Sequence, residues 1–317
     1  MDPEVFLEQE DVHLLIQALN TFALEVDSAT HRKNILMNAG IDWAFLSKLI
    51  FEVNPSLFAN QLVAHFRDYR VLAQRPMYHP MVRVLEYLLQ SHTLEDYDRK
   101  LFTRLIRQSQ ENFSGLMARR AVGRIESPPG TARGTGVLID KQLLLTCKHV
   151  FERIIDSGPD LGWVRFGYKM GRYGVELGDL FELDMKQVTN DSHQSDNTID
   201  YALVSIMGKP EYAVARLYSG VPSTIQPVRL IHHPRGEPVQ ISEAGQIVQL
   251  EKEYIQHTIK TDYGSSGGPI FDSSWRVIAI HRGNLSFDRS YAPGATEAIP
   301  LYSIWNEIKP HLSLTNS

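Results

Sequence analysis

The stretch Gly264-Ser265-Ser266-Gly267-Gly268-Pro269-Ile270 decides how the second half of this 317-residue chain is read. Glycines on both sides of a serine permit a turn tight enough for the N–H groups of Gly264 and Ser266 to converge on one oxygen beside the Ser266 hydroxyl. That is the equipment for acyl transfer by serine, which also needs an imidazole to take the hydroxyl proton and a carboxylate to orient the imidazole. Alone the turn is weak evidence, because glycine-serine loops are common.

The other two groups lie upstream. Gly134-Thr135-Gly136-Val137-Leu138-Ile139, followed by Leu143-Leu144-Leu145-Thr146-Cys147-Lys148-His149-Val150, reads as a hairpin that leaves His149 just beyond a buried strand, rigidly held but open to solvent. Thr198-Ile199-Asp200-Tyr201-Ala202-Leu203-Val204 opens a strand with an acid, and a carboxylate at a strand entrance can be buried against an imidazole. The three blocks, in the order His149, Asp200, Ser266, resemble the trypsin/chymotrypsin family over roughly residues 118 to 312. The resemblance implies a pair of six-stranded antiparallel β-barrels with the active site between them. It also implies Ser266 as nucleophile, His149 as base, Asp200 as its orienter and the Gly264 and Ser266 amides as the oxyanion hole. No metal or organic cofactor is expected.

Specificity is expected from two further segments. Val277-Ile278-Ala279-Ile280-His281-Arg282-Gly283 resembles the pocket strand of bacterial glutamyl endopeptidases, with His281 and Thr261 at the matching offsets from Ser266. In that subgroup a histidine and a hydroxyl bind the substrate carboxylate, which implies cleavage after Glu or Asp, with Arg282 adding positive potential if it folds inward. Lys260 stands where a Lys/Arg-specific enzyme carries an acid, so that preference is disfavoured. One departure is visible: the subgroup places a free amino terminus near the pocket, whereas here more than a hundred residues precede the barrels. Arg282, another cation, or cleavage near Arg119-Arg120 would have to take its place.

Other polar clusters read as structural. His232-His233-Pro234-Arg235-Gly236 looks like the turn after a strand and lacks a carboxylate or cysteine at metal-ligand spacing. Asp191, His193 and Asp196 belong to a solvated polar insertion. Cys147 is read as a packing residue, not a second nucleophile.

Residues 10 to 110 have a different texture. Val12, Leu15, Ile16, Leu19, Phe22 and Ala23 repeat at three and four, which is one buried helix face, and similar faces recur downstream. Asp27 or Ser28 can cap a helix ending at Gly40, Asp42 opens another, and Pro55 sits in a first turn ahead of Leu57, Phe58, Leu62, Val63 and Phe66. After a loop with Pro76 and Pro80, a last helix runs from about Thr93 to Gln110, giving five or six short helices. The pattern, with Arg32-Lys33-Asn34-Ile35-Leu36, Ala39-Gly40 and His79-Pro80 ahead of Leu85, Leu88 and Leu89, resembles the effector-associated, death-like adaptor domains that bacteria fuse to proteases. It implies recruitment by an adaptor- or sensor-type protein bearing a matching helical domain, as in antiviral or cell-death signalling.

The expected fold is therefore an all-α death-like helical bundle, residues 1–116, followed by an all-β trypsin-like double barrel, residues 117–317. Net charge is −5, with 11 Lys and Arg against 15 Asp and Glu in residues 1–116 and 21 against 22 in the remainder. Neither part has the charge of a nucleic-acid binder. No apolar run approaches the ~18 residues of a membrane span, and the acidic start Met1-Asp2-Pro3-Glu4 lacks the features of a secretory signal. With one cysteine and hence no internal disulfide, the expected compartment is the bacterial cytoplasm and the expected substrate a protein. The alternative function is a catalytically idle trypsin-fold scaffold acting through its helical domain.

Overall fold

The computed structural model describes residues 6–25, 28–72, 75, 77–91, 94–156, 161–171, 173–189, 199–283 and 292–313. Asp27, Pro76, Thr93, Asp191, His193, Asp196 and Thr198, named above, lie outside the described residues. The chain divides into two compact units, Met1–Leu116 and Met117–Ser317.

Among the described residues the first unit is built from α1 Gln9–Glu25, α2 Ala29–Asn38, α3 Trp43–Leu46, α4 Pro55–Asp68, α5 Pro80–Ser91 and most of α6 Asp96–Arg120, whose residues from Met117 on are counted in the second unit. Local chemistry sets their starts. Ser28 Oγ accepts the His31 N–H at 3.1 Å, and Asn54 Oδ1 accepts the Leu57 N–H at 2.9 Å with Pro55 in the first turn. Asp42 precedes α3 without capping it; its carboxylate is held by Arg75 at 2.7 Å. Leu15, Leu19, Leu36, Phe58, Leu62, Phe66, Leu85, Leu88, Phe102 and Leu105 fill one core. The last helix outruns its expected end at Gln110 by ten residues, and Phe113, Leu116 and Ala118 in the added turns are buried. Gly115 is tolerated inside it at a cost of about 1 kcal/mol relative to alanine.

The second unit contains two six-stranded closed barrels. The first takes β1 Val122–Glu126, β2 Ala132–Asp140, β3 Leu143–Thr146, β4 Gly162–Phe166, β7 Asp179–Thr189 and β8 Ala202–Ile206, in the order β1-β2-β3-β8-β7-β4 with β4 closing on β1. Helix α7, Lys148–Ile155, follows β3 directly, and a small hairpin, β5 Lys169–Gly171 with β6 Gly174–Glu176, stands apart. The second barrel runs β10 Pro227–His232, β12 Gly245–Leu250, β13 Ile255–His257, β16 Thr296–Pro300, β15 Arg276–His281 and β14 Pro269–Phe271, and closes through β14 on β10. Two short strands add to it, β9 Arg216–Leu217 on β15 and β11 Gln240–Ile241 on β10, and α8 Leu301–Ile308 follows β16.

Val228, Leu230, Ile247, Ile255, Ile270 and Ile278 fill the second barrel. Phe271, Val277, Ile280 and Ile299 belong instead to the core that contains the first barrel's Val137, Leu145, Val164 and Val204. Strands of the second barrel are thus apolar on both faces, which is why β14 and β15 read as unbroken hydrophobic runs and do not alternate.

One buried ion cluster braces the first barrel. Glu126, fully buried, accepts from Arg124 Nε at 2.9 Å, from Arg165 Nε at 2.7 Å and from the Gly130 N–H at 2.6 Å. Burial alone would raise the Glu126 carboxyl, but the bonds from Arg165, Gly130 and Arg124 outweigh it and hold it below the usual carboxylate range.

Candidate active site

The barrel register delivers the first two groups. Strand β3 pairs antiparallel with β8, Thr146 opposite Ala202, so the residues leaving β3 lie beside those entering β8. His149 leaves β3 in the first turn of α7, not on a strand end, because Cys147 already adopts the extended N-cap conformation. Asp200 then grips it twice: Oδ1 accepts the His149 backbone N–H at 2.9 Å and Oδ2 lies 2.7 Å from Nδ1. The Lys148 N–H adds a bond to the Asp200 carbonyl at 3.3 Å.

This geometry fixes the imidazole tautomer. Burial would raise the Asp200 carboxyl, but the hydrogen bonds and charge of His149, with Arg282 behind them, hold it below its ordinary range. An ionised carboxylate only accepts, so Nδ1 carries a proton and Nε2 is the nitrogen turned away from Asp200. Nε2 is buried and has no hydrogen-bond partner among the described residues.

Ser266 lies on the turn entering β14 and remains partly exposed. The turn is pinned by backbone bonds: Thr135 N–H to the Ser266 carbonyl at 2.8 Å, and Gly267 N–H to the His281 carbonyl at 2.8 Å. The same His281 carbonyl accepts the Cys147 thiol at 3.3 Å, so the segments carrying His149 and Ser266 share an anchor. Gly264 and Gly267 have φ of +88° and +81°, a region open at little cost only to glycine. At Gly267 a Cβ would stand 2.0 Å from Thr146 Oγ1 and 2.2 Å from the Thr135 carbonyl. Neither the Gly264 nor the Ser266 N–H is seen to donate a hydrogen bond among the described residues. The Ser266 hydroxyl and His149 Nε2 are not hydrogen-bonded; in substrate-free enzymes that contact is often long and tightens on binding.

His281 is buried, and its Nδ1 lies 3.1 Å from Nε2 of His257. The Ile259 N–H donates to His257 Nδ1 at 3.2 Å, so a neutral His257 must carry its proton on Nε2. That proton points at both His281 Nδ1 and Thr296 Oγ1, the latter at 3.2 Å. His281, as acceptor on Nδ1, therefore holds its own proton on Nε2. Burial keeps both rings neutral, pushing His257 down to about 3 and His281 well below its usual value. His257 was not singled out from sequence, since its short strand carries no apolar alternation. Thr261 is partly exposed on the segment before the nucleophile turn.

Arg282, expected to add positive potential if it folds inward, is paired with two carboxylates: its Nε donates to Asp200 Oδ2 at 3.1 Å and its Nη1 to the fully buried Glu297 at 2.9 Å. Two carboxylates are stronger partners than open solvent, and this drew the side chain to the orienting acid.

Among the described residues, the group whose ligand atoms cluster closely enough to hold a metal is Cys147, His149 and Asp200, all within 4.8 Å. The donor set does not suit a cation. Burial, with the Asp200 charge, pushes the Cys147 thiol well above its usual value, and the His149 Nδ1 and Asp200 are already bonded to each other.

Residues 134–280 match the family described as trypsin-like peptidase domain, and residues 9–118 match effector-associated domain 8. An uncharacterized protein, y4fB, of Sinorhizobium fredii is 31% identical over 192 residues, covering 53% of this chain and 28% of its own length. The glutamyl endopeptidase of Staphylococcus aureus strain MRSA252 is 26% identical over 168 residues, covering 51% of this chain and 46% of the relative. The chain thus spans less than half the length of these relatives. A solved serine endoprotease from Yersinia pestis superposes with a TM-score of 0.48 at 21% identity, covering 63% of this chain and 65% of that one.

Proposed function

We propose that this chain, which joins an effector-associated domain to a trypsin-like peptidase domain, is a serine endopeptidase acting through His149, Asp200 and Ser266. The observation that carries the reading is the double grip of Asp200 on His149, its Oδ1 on the backbone N–H at 2.9 Å and its Oδ2 2.7 Å from Nδ1, which leaves Nε2 on the far side of the ring. In the proposed reaction the Ser266 hydroxyl attacks the scissile carbonyl while His149 Nε2 takes its proton. Asp200 stabilises the imidazolium, and the N–H groups of Gly264 and Ser266 receive the oxyanion. Collapse breaks the C–N bond, with the imidazolium proton passing to the leaving amine. Water, deprotonated by the same nitrogen, then hydrolyses the acyl-enzyme.

The preferred P1 residue in this reading is Glu or Asp. The hydrogen-bond chain from Ile259 through His257 leaves His281 presenting an Nε2–H, a neutral donor suited to a carboxylate. With Arg282 committed to Asp200 and Glu297, recognition rests on donated hydrogen bonds from His281 and Thr261, not on a cation.

The match of residues 9–118 to an effector-associated domain supports recruitment or activation by an adaptor- or sensor-type protein with a matching helical domain, in bacterial antiviral or cell-death signalling in the cytoplasm. The described helices include none long and apolar enough to cross a membrane. The test is cleavage of a peptide library by the full chain and by Ser266→Ala, together with irreversible fluorophosphonate labelling. Cleavage after Glu or Asp and a label on Ser266, both lost in the variant, are expected. A chain that neither cleaves nor labels, with or without its partner, is an idle scaffold.

A further inference from the structure

The turn after β10, His232-His233-Pro234-Arg235-Gly236, reads in sequence as a simple connector, but the structure threads it behind the nucleophile turn. Three successive residues ahead of Ser266 are fastened there. The Tyr263 carbonyl accepts the Arg235 N–H at 2.5 Å. The Gly264 carbonyl accepts from Thr135 Oγ1 at 2.8 Å, and that hydroxyl in turn accepts the His233 N–H at 3.1 Å. Ser265 Oγ, fully buried, accepts the Asp262 N–H at 3.1 Å and lies 2.7 Å from His232 Nδ1.

The consequences fall on the oxyanion donors. In a trans peptide the N–H points opposite to the preceding carbonyl, so anchoring the Tyr263 carbonyl on Arg235 turns the Gly264 N–H to the other side. Arg235 pays for this with φ of +53°, a left-handed value unusual for a residue with a Cβ. The Asp262–Ser265 turn is itself closed by the Ser265 N–H on the Asp262 carbonyl at 3.1 Å and by the Asp262 N–H on the Ser265 hydroxyl. Having accepted that N–H, the hydroxyl is left with one proton to donate, and His232 Nδ1 is where it goes. His232 is 5% exposed, and no other acceptor for Ser265 Oγ is seen among the described residues. Beneath the turn, Arg124 Nη1 donates to the Gly236 carbonyl at 2.5 Å, tying the clamp to the buried Glu126 cluster.

We infer that His232 is a positioning residue for catalysis: through the Ser265 hydroxyl it holds the Asp262–Ser265 turn so that the Gly264 and Ser266 N–H groups face the reacting carbonyl, with no amino terminus released by cleavage. The inference rests on the proteolytic reading above and deepens it. The oxyanion hole of the uncut chain is then assembled by its own buried imidazole.

The experiment compares His232→Ala, His232→Asn and Ser265→Ala with the uncut full chain, each rate divided by the concentration of sites titrated with fluorophosphonate. Asn places an amide oxygen near the position of Nδ1 and keeps the acceptor. We expect His232→Ala and Ser265→Ala each to lower kcat about 10- to 100-fold, less than the loss of a whole oxyanion donor, with KM within twofold. The double variant should lose no more than either single one, and His232→Asn should recover most of the rate. Purely structural damage would reduce the number of titratable sites without this pattern. Variants retaining kcat within threefold, an Asn variant as slow as Ala, or additive losses would overturn the inference. If His232→Ala fails to fold, Ser265→Ala, which removes one oxygen, decides on the same criteria. A wild-type chain that cleaves nothing, cut or uncut, sinks the proteolytic reading instead, and activity only after cleavage sinks the inference alone.

Discussion

Replacing Asp200 by asparagine tests the catalytic reading at its most constrained atom. The carboxylate receives three donors: the His149 N–H at 2.9 Å on Oδ1, and the His149 Nδ1–H at 2.7 Å and Arg282 Nε–H at 3.1 Å on Oδ2. An amide offers one acceptor oxygen, so its NH2 must face a donor wherever it is placed. At the Oδ2 position the imidazole can adapt by moving its proton to Nε2, which leaves no base for Ser266, and Arg282 loses its partner. At the Oδ1 position the NH2 confronts a backbone N–H that cannot change. Either way the imidazolium formed during attack loses its counter-charge and faces the Arg282 cation instead. We predict a fall in kcat of about 10³- to 10⁴-fold, or roughly 4–5.5 kcal/mol of transition-state stabilisation. KM should change little, since Asp200 lies behind the imidazole. Steady-state hydrolysis of a Glu-P1 peptide, with active sites counted by slow fluorophosphonate labelling, measures both. Residual kcat within tenfold of wild type would show that His149 does not act as the base in the tautomer that Asp200 dictates.

Three further outcomes are expected. Gly267→Ala must hold a Cβ at φ of +81° and 2.2 Å from the Thr135 carbonyl; the φ alone costs about 1–2 kcal/mol, and a fall in Tm of the protease unit beyond ~4 °C is expected by calorimetry. His281→Leu removes a hydrogen bond to a charged substrate group, worth about 1.5–3 kcal/mol, and should cut kcat/KM for Glu-P1 peptides roughly 10- to 150-fold while leaving an Ala-P1 peptide little changed. Burial pushes His232 down to about 4, His233 and His257 to about 3 and His281 well below normal, whereas all four titrate near 6.5 once unfolded. Below pH 6.5 the unfolded chain therefore binds more protons, so stability is full above that pH and is lost as pH falls. At pH 5 the loss is on the order of 2 kcal/mol for a ring pushed down to about 4 or below, and urea midpoints taken from pH 7.5 to 5 should drop.

How much of this was legible depended on whether the determinant was local. The turn at Gly264–Gly268 announces itself through Gly264 and Gly267, which take positive φ, the His149 block through an apolar run that ends in a polar residue, and the Asp200 block through an acid that opens an apolar run. Strands β1, β7, β13 and β16 are among those that no apolar pattern announces. Glu126, Gln256, His257 and Glu297 stand on three of them fully buried, so polar letters occupy positions that an apolar pattern search discards. The destination of Arg282 was equally hidden, since Asp200 lies 82 residues earlier and Glu297 on an unforeseen strand. His232 and Ser265, 33 residues apart, meet only because β10 pairs with β14 in the closed barrel. The helix after α5 is expected to end at Gln110 but runs on to Arg120, with Phe113 and Leu116 buried in the added turns.

Cys147 is the chain's single thiol, wholly buried two residues from His149, and its sulfur donates to the carbonyl that also receives the Gly267 N–H. It is thus a built-in stopwatch for breathing of the barrel seam. An alkylating reagent cannot reach it until that seam parts, so the speed of its capture under native conditions reports how often the machinery falls out of alignment, with no second sulfhydryl to blur the signal.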